Sequence, residues 1–126
     1  MKKIINTSKA PAPIGPYNQA VLSNNTLYIS GQIPLDPSNG LLIEDDIKKG
    51  TLQCMENLRA ILEAADMSFK DVVKATIFVK DMNSFSDVNE VYGSFFNPET
   101  APARETVEVS NLPKFVNVEI SMIAVK

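Results

Sequence analysis

Two stretches of this 126-residue chain repeat apolar residues at helical spacing, and each has one wet face. The first runs from about Asp46 to Ala65. Its apolar stripe is Ile47, Thr51, Cys54, Leu58, Ile61, Leu62 and Ala65, with Lys48, Lys49, Glu56, Arg59 and Glu63 opposite. Asp45 or Asp46 is placed to cap its start, and Asp66-Met67-Ser68 breaks it. The second starts at Ser84 or Ser86, carries Val88, Val91, Tyr92, Phe95 and Phe96, and ends at Asn97-Pro98. Two such helices cover one face of a four- to six-stranded sheet, and none remains for the other.

The strands are legible around them. Asn18 to Leu22 and Leu27 to Ile33 flank a turn at Asn24-Asn25, and Pro34 to Gly40 is a loop. Val73 to Lys80 alternates, with Ala75, Ile77 and Val79 on one side. Arg104 to Val109 and Val116 to Val125 follow, joined through Asn111-Leu112-Pro113. The order is βββ-α-β-α-ββ, in one domain over residues 1–126. Along the last strand Val118, Ile120, Met122 and Ala124 suit packing under helices. The other face holds Asn117, Glu119, Ser121, Ile123 and Val125, half polar and half apolar. A partner subunit would bury it.

Composition narrows the chemistry. The formal charge is −3, and the lysines form short pairs rather than a basic run, so a global affinity for nucleic acid is not expected. Cys54 is the single cysteine and histidine is absent, which excludes an intrachain disulfide, a Cys cluster for zinc, and Ser-His or Cys-His nucleophile pairs. Acid-base work must fall to Asp, Glu, Tyr, Lys, Cys54 or water. No apolar stretch has signal or membrane length, so a soluble cytoplasmic protein with no membrane partner is expected.

Individual residues leave alternatives open. Arg104, entering a strand after Ala101-Pro102-Ala103, is either a surface arginine paired with an acid such as Glu105 or a bidentate carboxylate anchor. Glu119 lies mid-strand between Val118 and Ile120, facing solvent or put to chemical use. Tyr17 follows Gly15-Pro16 and is a hydrogen-bonding handle or core. Ser30-Gly31-Gln32 interrupts an apolar strand, where Gly31 permits close approach of a ligand or backbone. Cys54, on an apolar helix stripe, reads as inert core.

Taken together, these segments resemble the reactive-intermediate deaminase A family (RidA/YjgF) from end to end. The matching runs are Ala12-Pro13-Ile14-Gly15-Pro16-Tyr17, Ser30-Gly31-Gln32-Ile33-Pro34, Val79-Lys80-Asp81-Met82-Asn83 and Val88-Asn89-Glu90-Val91-Tyr92. Pro102-Ala103-Arg104, Val107-Glu108-Val109, Leu112-Pro113 and Val118-Glu119-Ile120 complete them. The resemblance implies an α+β fold like chorismate mutase of the trimeric bacterial type, a mixed β-sheet with two helices packed on one face. It implies a homotrimer with ligand clefts between subunits, and hydrolysis of short 2-imino acids to 2-keto acids and ammonia without cofactor or metal. Transferred residue by residue, it makes Arg104 the holder of the substrate carboxylate and Glu119 the group that positions and deprotonates water. Tyr17 would line the cleft from the neighbouring subunit. Ser30, Gly31, Asn89 and Thr106 would shape the substrate pocket.

Two departures from the family pattern bear on substrate range. Glu105-Thr106 stands where many members have a small residue or Ser followed by Cys or Thr, and Ala101 stands where many have an aromatic residue. Strand alternation points Glu105 away from Arg104. The competing readings are a non-catalytic trimer that binds 2-keto acids and regulates a partner, an endoribonuclease or translation inhibitor, and a chaperone-like trimer.

Overall fold

The computed structural model describes all 126 residues. A six-stranded mixed sheet carries two helices, the expected α+β arrangement. In chain order the elements are β1 (Lys2–Ile5), β2 (Ala20–Ser23), β3 (Thr26–Gln32), β4 (Leu35–Asp36), β5 (Leu41–Leu42) and α1 (Ile47–Ala64). They continue with β6 (Val72–Val79), α2 (Phe85–Gly93), β7 (Ala103–Glu108) and β8 (Val118–Val125). The sheet order is β1-β2-β3-β8-β6-β7. All its neighbours are antiparallel except β6 and β7, which α2 connects as a parallel pair. A parallel pair needs such a crossover because the chain must return to the end where it began.

Alternation divides the sheet into two unlike faces. Leu27, Ile77, Ile120 and Met122 point to the helices and meet Met55, Leu58, Ile61 and Leu62 of α1 and Val88 and Tyr92 of α2 in one core. Cys54 is buried in that core, and burial pushes its thiol well above the ordinary range. The opposite face has no helix over it. It leaves Tyr28 and Val125 exposed, and carries an ion pair of Lys74 with Glu105 at 3.1 Å. The Thr76 hydroxyl donates to Glu105 at 2.6 Å on that same face.

Local chemistry sets the element ends. The Asp46 carboxylate accepts from the Lys49 backbone N–H at 3.1 Å and caps α1. Asn24, at φ 53°, turns β2 into β3, a conformation asparagine tolerates. The segment 34–40, expected as loop, instead contains β4, which pairs with β5 in a small hairpin. Buried Asn57 of α1 holds that hairpin by donating to the carbonyls of Ile33 and Leu35. α2 stops at Gly93, short of Phe95 and Phe96, because those rings turn aside to pack edge-on against Phe69 at 5.2 and 5.5 Å. β8 begins at Val118 rather than Val116, whose side chain is buried instead with Ile33 and Leu112. No helix is long and apolar enough to cross a membrane.

Leu58→Ala is expected to destabilise the chain by about 3 kcal/mol, since it removes a fully buried side chain from the helix–sheet core. Leu52→Ala, on the exposed side of the same helix, is expected to cost under about 0.5 kcal/mol. Urea unfolding of the two variants checks the contrast.

Candidate functional site

The site begins with a carboxylate that has no partner. Glu119 sits on β8 between Val118 and Ile120, which point to the core, so it points to the helix-free face. It makes no ion pair or side-chain hydrogen bond within the chain, and partial burial raises its pKa above the ordinary carboxylate value. What admits it is Gly31. The pairing of β3 with β8 shifts register between Ile29 and Gln32, and this irregularity sets Gly31 beneath the Glu119 side chain. A Cβ at Gly31 would lie 2.6 Å from Glu119 Oε2 and 2.7 Å from its carboxyl carbon, so any larger residue would push the Glu119 side chain out of this position.

Around Glu119, a cleft of about 340 Å³ is lined by Ile14, Tyr17, Ser30, Gly31, Ile33 and Pro113. The Pro-rich segment 10–16 brings Tyr17 there, and the Tyr17 hydroxyl accepts from the Ile14 backbone N–H at 3.3 Å. Ser30 is tied back, its hydroxyl donating to the Asn18 carbonyl at 2.7 Å. Partial burial of Glu119 favours the protonated carboxyl more than an exposed site would, and a carboxyl group beside a bound water is placed for acid-base chemistry.

Arg104 occupies a different place. It lies on edge strand β7 opposite Ala75, so it shares the helix face of the sheet. Its Nη1 donates to Asn89 Oδ1 at 2.7 Å, and its Cζ stands 5.1 Å from the Tyr92 ring centroid and 5.7 Å from that of Phe85. It forms no salt bridge, and Glu105 lies on the other face with Lys74 and Thr76, as alternation predicts. The surface ion-pair reading of Arg104 is therefore set aside. Thr106, two residues on, shares the Arg104 face. Its hydroxyl and that of Tyr92 are buried without a hydrogen-bond partner in the chain. Burial pushes the Tyr92 hydroxyl up to about 12 against the pull of the Arg104 charge.

A single chain thus holds two separate side-chain clusters, one around Glu119 and one around Arg104. Tyr17, Ser30 and Gly31 join Glu119 in the first, while Asn89 and Thr106 join Arg104 in the second. Glu119 aligns with Phe78, which aligns with Val107, three residues beyond Arg104 on β7. The two backbones are roughly 14 Å apart by strand geometry, and the side chains leave opposite faces. Within one chain Tyr17 lines the same cleft as Glu119. Phe85, Tyr92 and Pro113 were not among the expected site residues. The spacing Phe85-Asn89-Tyr92, one face of a helix, was the available signal for the first two. No group of three or more His, Cys, Asp and Glu side chains is arranged to hold a metal ion.

The raised pKa of Glu119 fixes the sign of a pH effect. Folding favours its protonated form, so its contribution is most favourable below the unfolded value and is lost as pH rises through the folded one. Glu119→Gln is accordingly expected to melt above wild type at pH 7, with the gap closing toward pH 4. Melting curves of both proteins across that range read the difference directly.

Comparison with known proteins agrees with this fold. The family model described as endoribonuclease L-PSP matches residues 7–126. A RutC family protein of Pyrococcus horikoshii is 54% identical over 126 residues, covering 100% of this chain and 99% of its own length. The 2-iminobutanoate/2-iminopropanoate deaminase of Bos taurus is 48% identical over 126 residues, covering 100% of this chain and 91% of its own. The solved structure of the YjgF gene product of Escherichia coli superposes with a TM-score of 0.92 at 47% identity, covering 98% of each chain. A family-model match over nearly the whole chain, with relatives this similar along their full length, shows that the chain belongs to the RidA/YjgF family.

Proposed function

We propose that this chain hydrolyses short 2-imino acids such as 2-iminopropanoate and 2-iminobutanoate to 2-keto acids and ammonia, in sites completed between subunits of a homotrimer. The observation that carries the reading is the unpaired, partly buried Glu119 carboxylate set over Gly31 in a cleft. A module that only bound carboxylates would gain nothing from a second carboxylate there. The mammalian relatives named as deaminases support imine deamination as the chemistry.

The substrate places a carboxylate beside an electrophilic C=N carbon. Arg104 of one subunit holds the carboxylate with the guanidinium edge that Asn89 leaves free. Glu119 of the neighbour accepts a proton from water as the water oxygen bonds to the imine carbon and the C=N π electrons move to nitrogen. The same carboxyl group returns its proton to that nitrogen. Glu119 then takes the hydroxyl proton and passes it to the amine nitrogen, so that the C–N bond breaks, ammonia leaves and the carbonyl forms. Positioning and proton transfer supply the rate without a covalent intermediate. Tyr17 orients water or substrate from the Glu119 side, with Ser30 and Gly31 forming the wall and Thr106 flanking Arg104.

The trimer, with a fold like that of the trimeric bacterial chorismate mutase, is supported by the uncovered sheet face. It is also supported by the placement of Arg104 and Glu119 on opposite faces, which a neighbouring subunit can reconcile. The family description as an endoribonuclease favours a second reading, RNA cleavage. A formal charge of −3 and the absence of histidine weigh against it.

The test generates the two imines in situ with an amino-acid oxidase or dehydratase and traps them with semicarbazide. Wild type is expected to divert imine to keto acid, and Arg104→Ala and Glu119→Ala each to lose roughly 10²-fold or more in kcat/KM while melting cooperatively. Wild-type protein inert toward every small imine contradicts the reading. RNA cleavage that is lost with Glu119→Ala would put the ribonuclease in its place.

A further inference from the structure

Arg104 is held by an unusual set of neighbours for a surface-strand arginine. None of the groups around its guanidinium is acidic. α2 presents Phe85, Asn89 and Tyr92 at intervals of four and three residues, which places them on one helix face. All three meet the guanidinium: Asn89 Oδ1 at 2.7 Å from Nη1, Tyr92 and Phe85 with ring centroids 5.1 and 5.7 Å from Cζ. Neutral groups can fix the plane of an arginine without neutralising it. A carboxylate in their place would compete with any incoming anion for the same fork of donors.

The three contacts are not equal. Tyr92 is only 5% exposed and is locked into the helix–sheet core, with its ring also 4.9 Å from that of Phe96. Phe85 is 38% exposed. Tyr92 is thus the fixed wall against which the guanidinium rests. Its hydroxyl has no hydrogen-bond partner within the chain, so the ring face is the part of the side chain that meets Arg104.

We propose that Tyr92 is a positioning residue: its ring, through the cation–π contact, sets the guanidinium plane so that the N–H edge not used by Asn89 faces the substrate carboxylate. This rests on the reading of Arg104 as a carboxylate anchor and assigns specificity for carboxylate-bearing substrates partly to α2. Because the residue acts through Arg104, its loss is felt in binding more than in chemistry.

The experiment measures KM and kcat for 2-iminobutanoate and, separately, the affinity for 2-oxobutanoate by calorimetry, a stable carboxylate probe that needs no turnover. Tyr92→Leu is expected to raise KM and the keto-acid Kd about fivefold, the size of one partly desolvated cation–π contact, with kcat within about twofold. Tyr92→Phe keeps the ring and is expected to restore both values. Phe85→Leu, at a position exposed enough to spare the fold, is expected to shift KM the same way by about twofold. In an Arg104→Ala background Tyr92→Leu should add nothing further, since non-additivity marks two residues acting as one unit.

Tyr92→Phe as impaired as Tyr92→Leu overturns the proposal, because the hydroxyl would then be the active part. A Tyr92→Leu penalty that persists in full without Arg104 also overturns it, as does an unchanged KM in both Tyr92→Leu and Phe85→Leu. Wild type that neither turns over the imine nor binds 2-oxobutanoate removes the underlying carboxylate reading as well. Normal wild-type behaviour with any of the other three results removes the Tyr92 role alone.

Discussion

A β-strand offers successive side chains to opposite faces of its sheet, and in this protein that alternation decides where the chemistry lies. β7 and β8 both run with one side against the helices and the other bare. Arg104 falls on the covered side of β7, and Glu119 on the bare side of β8. A one-residue slip of either strand would exchange their faces and bury a charge in the core. The core residues Ile77, Ile120 and Met122 therefore hold the register of the two clusters as well as the stability of the fold.

Each cluster keeps its charge unspent. Glu119 has no cation beside it and exists where it does because Gly31 has no side chain. Arg104 has no anion beside it and is gripped by an amide and two aromatic rings. The acidic residue nearest in sequence, Glu105, is drawn to the far face by Lys74 and Thr76. Pairing Arg104 with Glu105 would have been easy in sequence, but the pleat forbids it. The result is one arginine without an anion and one carboxylate without a cation on opposite faces of the same sheet, the arrangement on which the proposed shared site rests.

Much of this was legible before the fold. Both helices, the alternation of β6 and β8 and the bare sheet face follow from period alone, because long amphipathic patterns have few alternatives. Arg104, Glu119, Tyr17, Ser30, Gly31, Asn89 and Thr106 all came from residue type and family pattern; in the fold Tyr17, Ser30 and Gly31 lie beside Glu119, and Asn89 lies against Arg104. What was not legible depended on three-dimensional contacts. The β4–β5 hairpin forms because Asn57 reaches it from α1, 22 residues away from Leu35 in sequence. α2 stops early because Phe69 offers Phe95 and Phe96 a better place to pack than another helical turn. Tyr92 looked like ordinary core because it is core; its second face, turned to Arg104, shows only once β7 is laid beside β6.

The central claim is that one subunit's Arg104 works with another's Glu119, and subunit complementation tests it most directly. Chains carrying Arg104→Ala and chains carrying Glu119→Ala, each inactive alone, are co-expressed, and mixed assemblies are verified by native mass spectrometry. If the site is shared, random mixing in a head-to-tail ring joins an intact Arg104 to an intact Glu119 at about a quarter of the interfaces, and imine deaminase activity returns to about that fraction of wild type. Verified mixed assemblies as inactive as their parents would contradict the account.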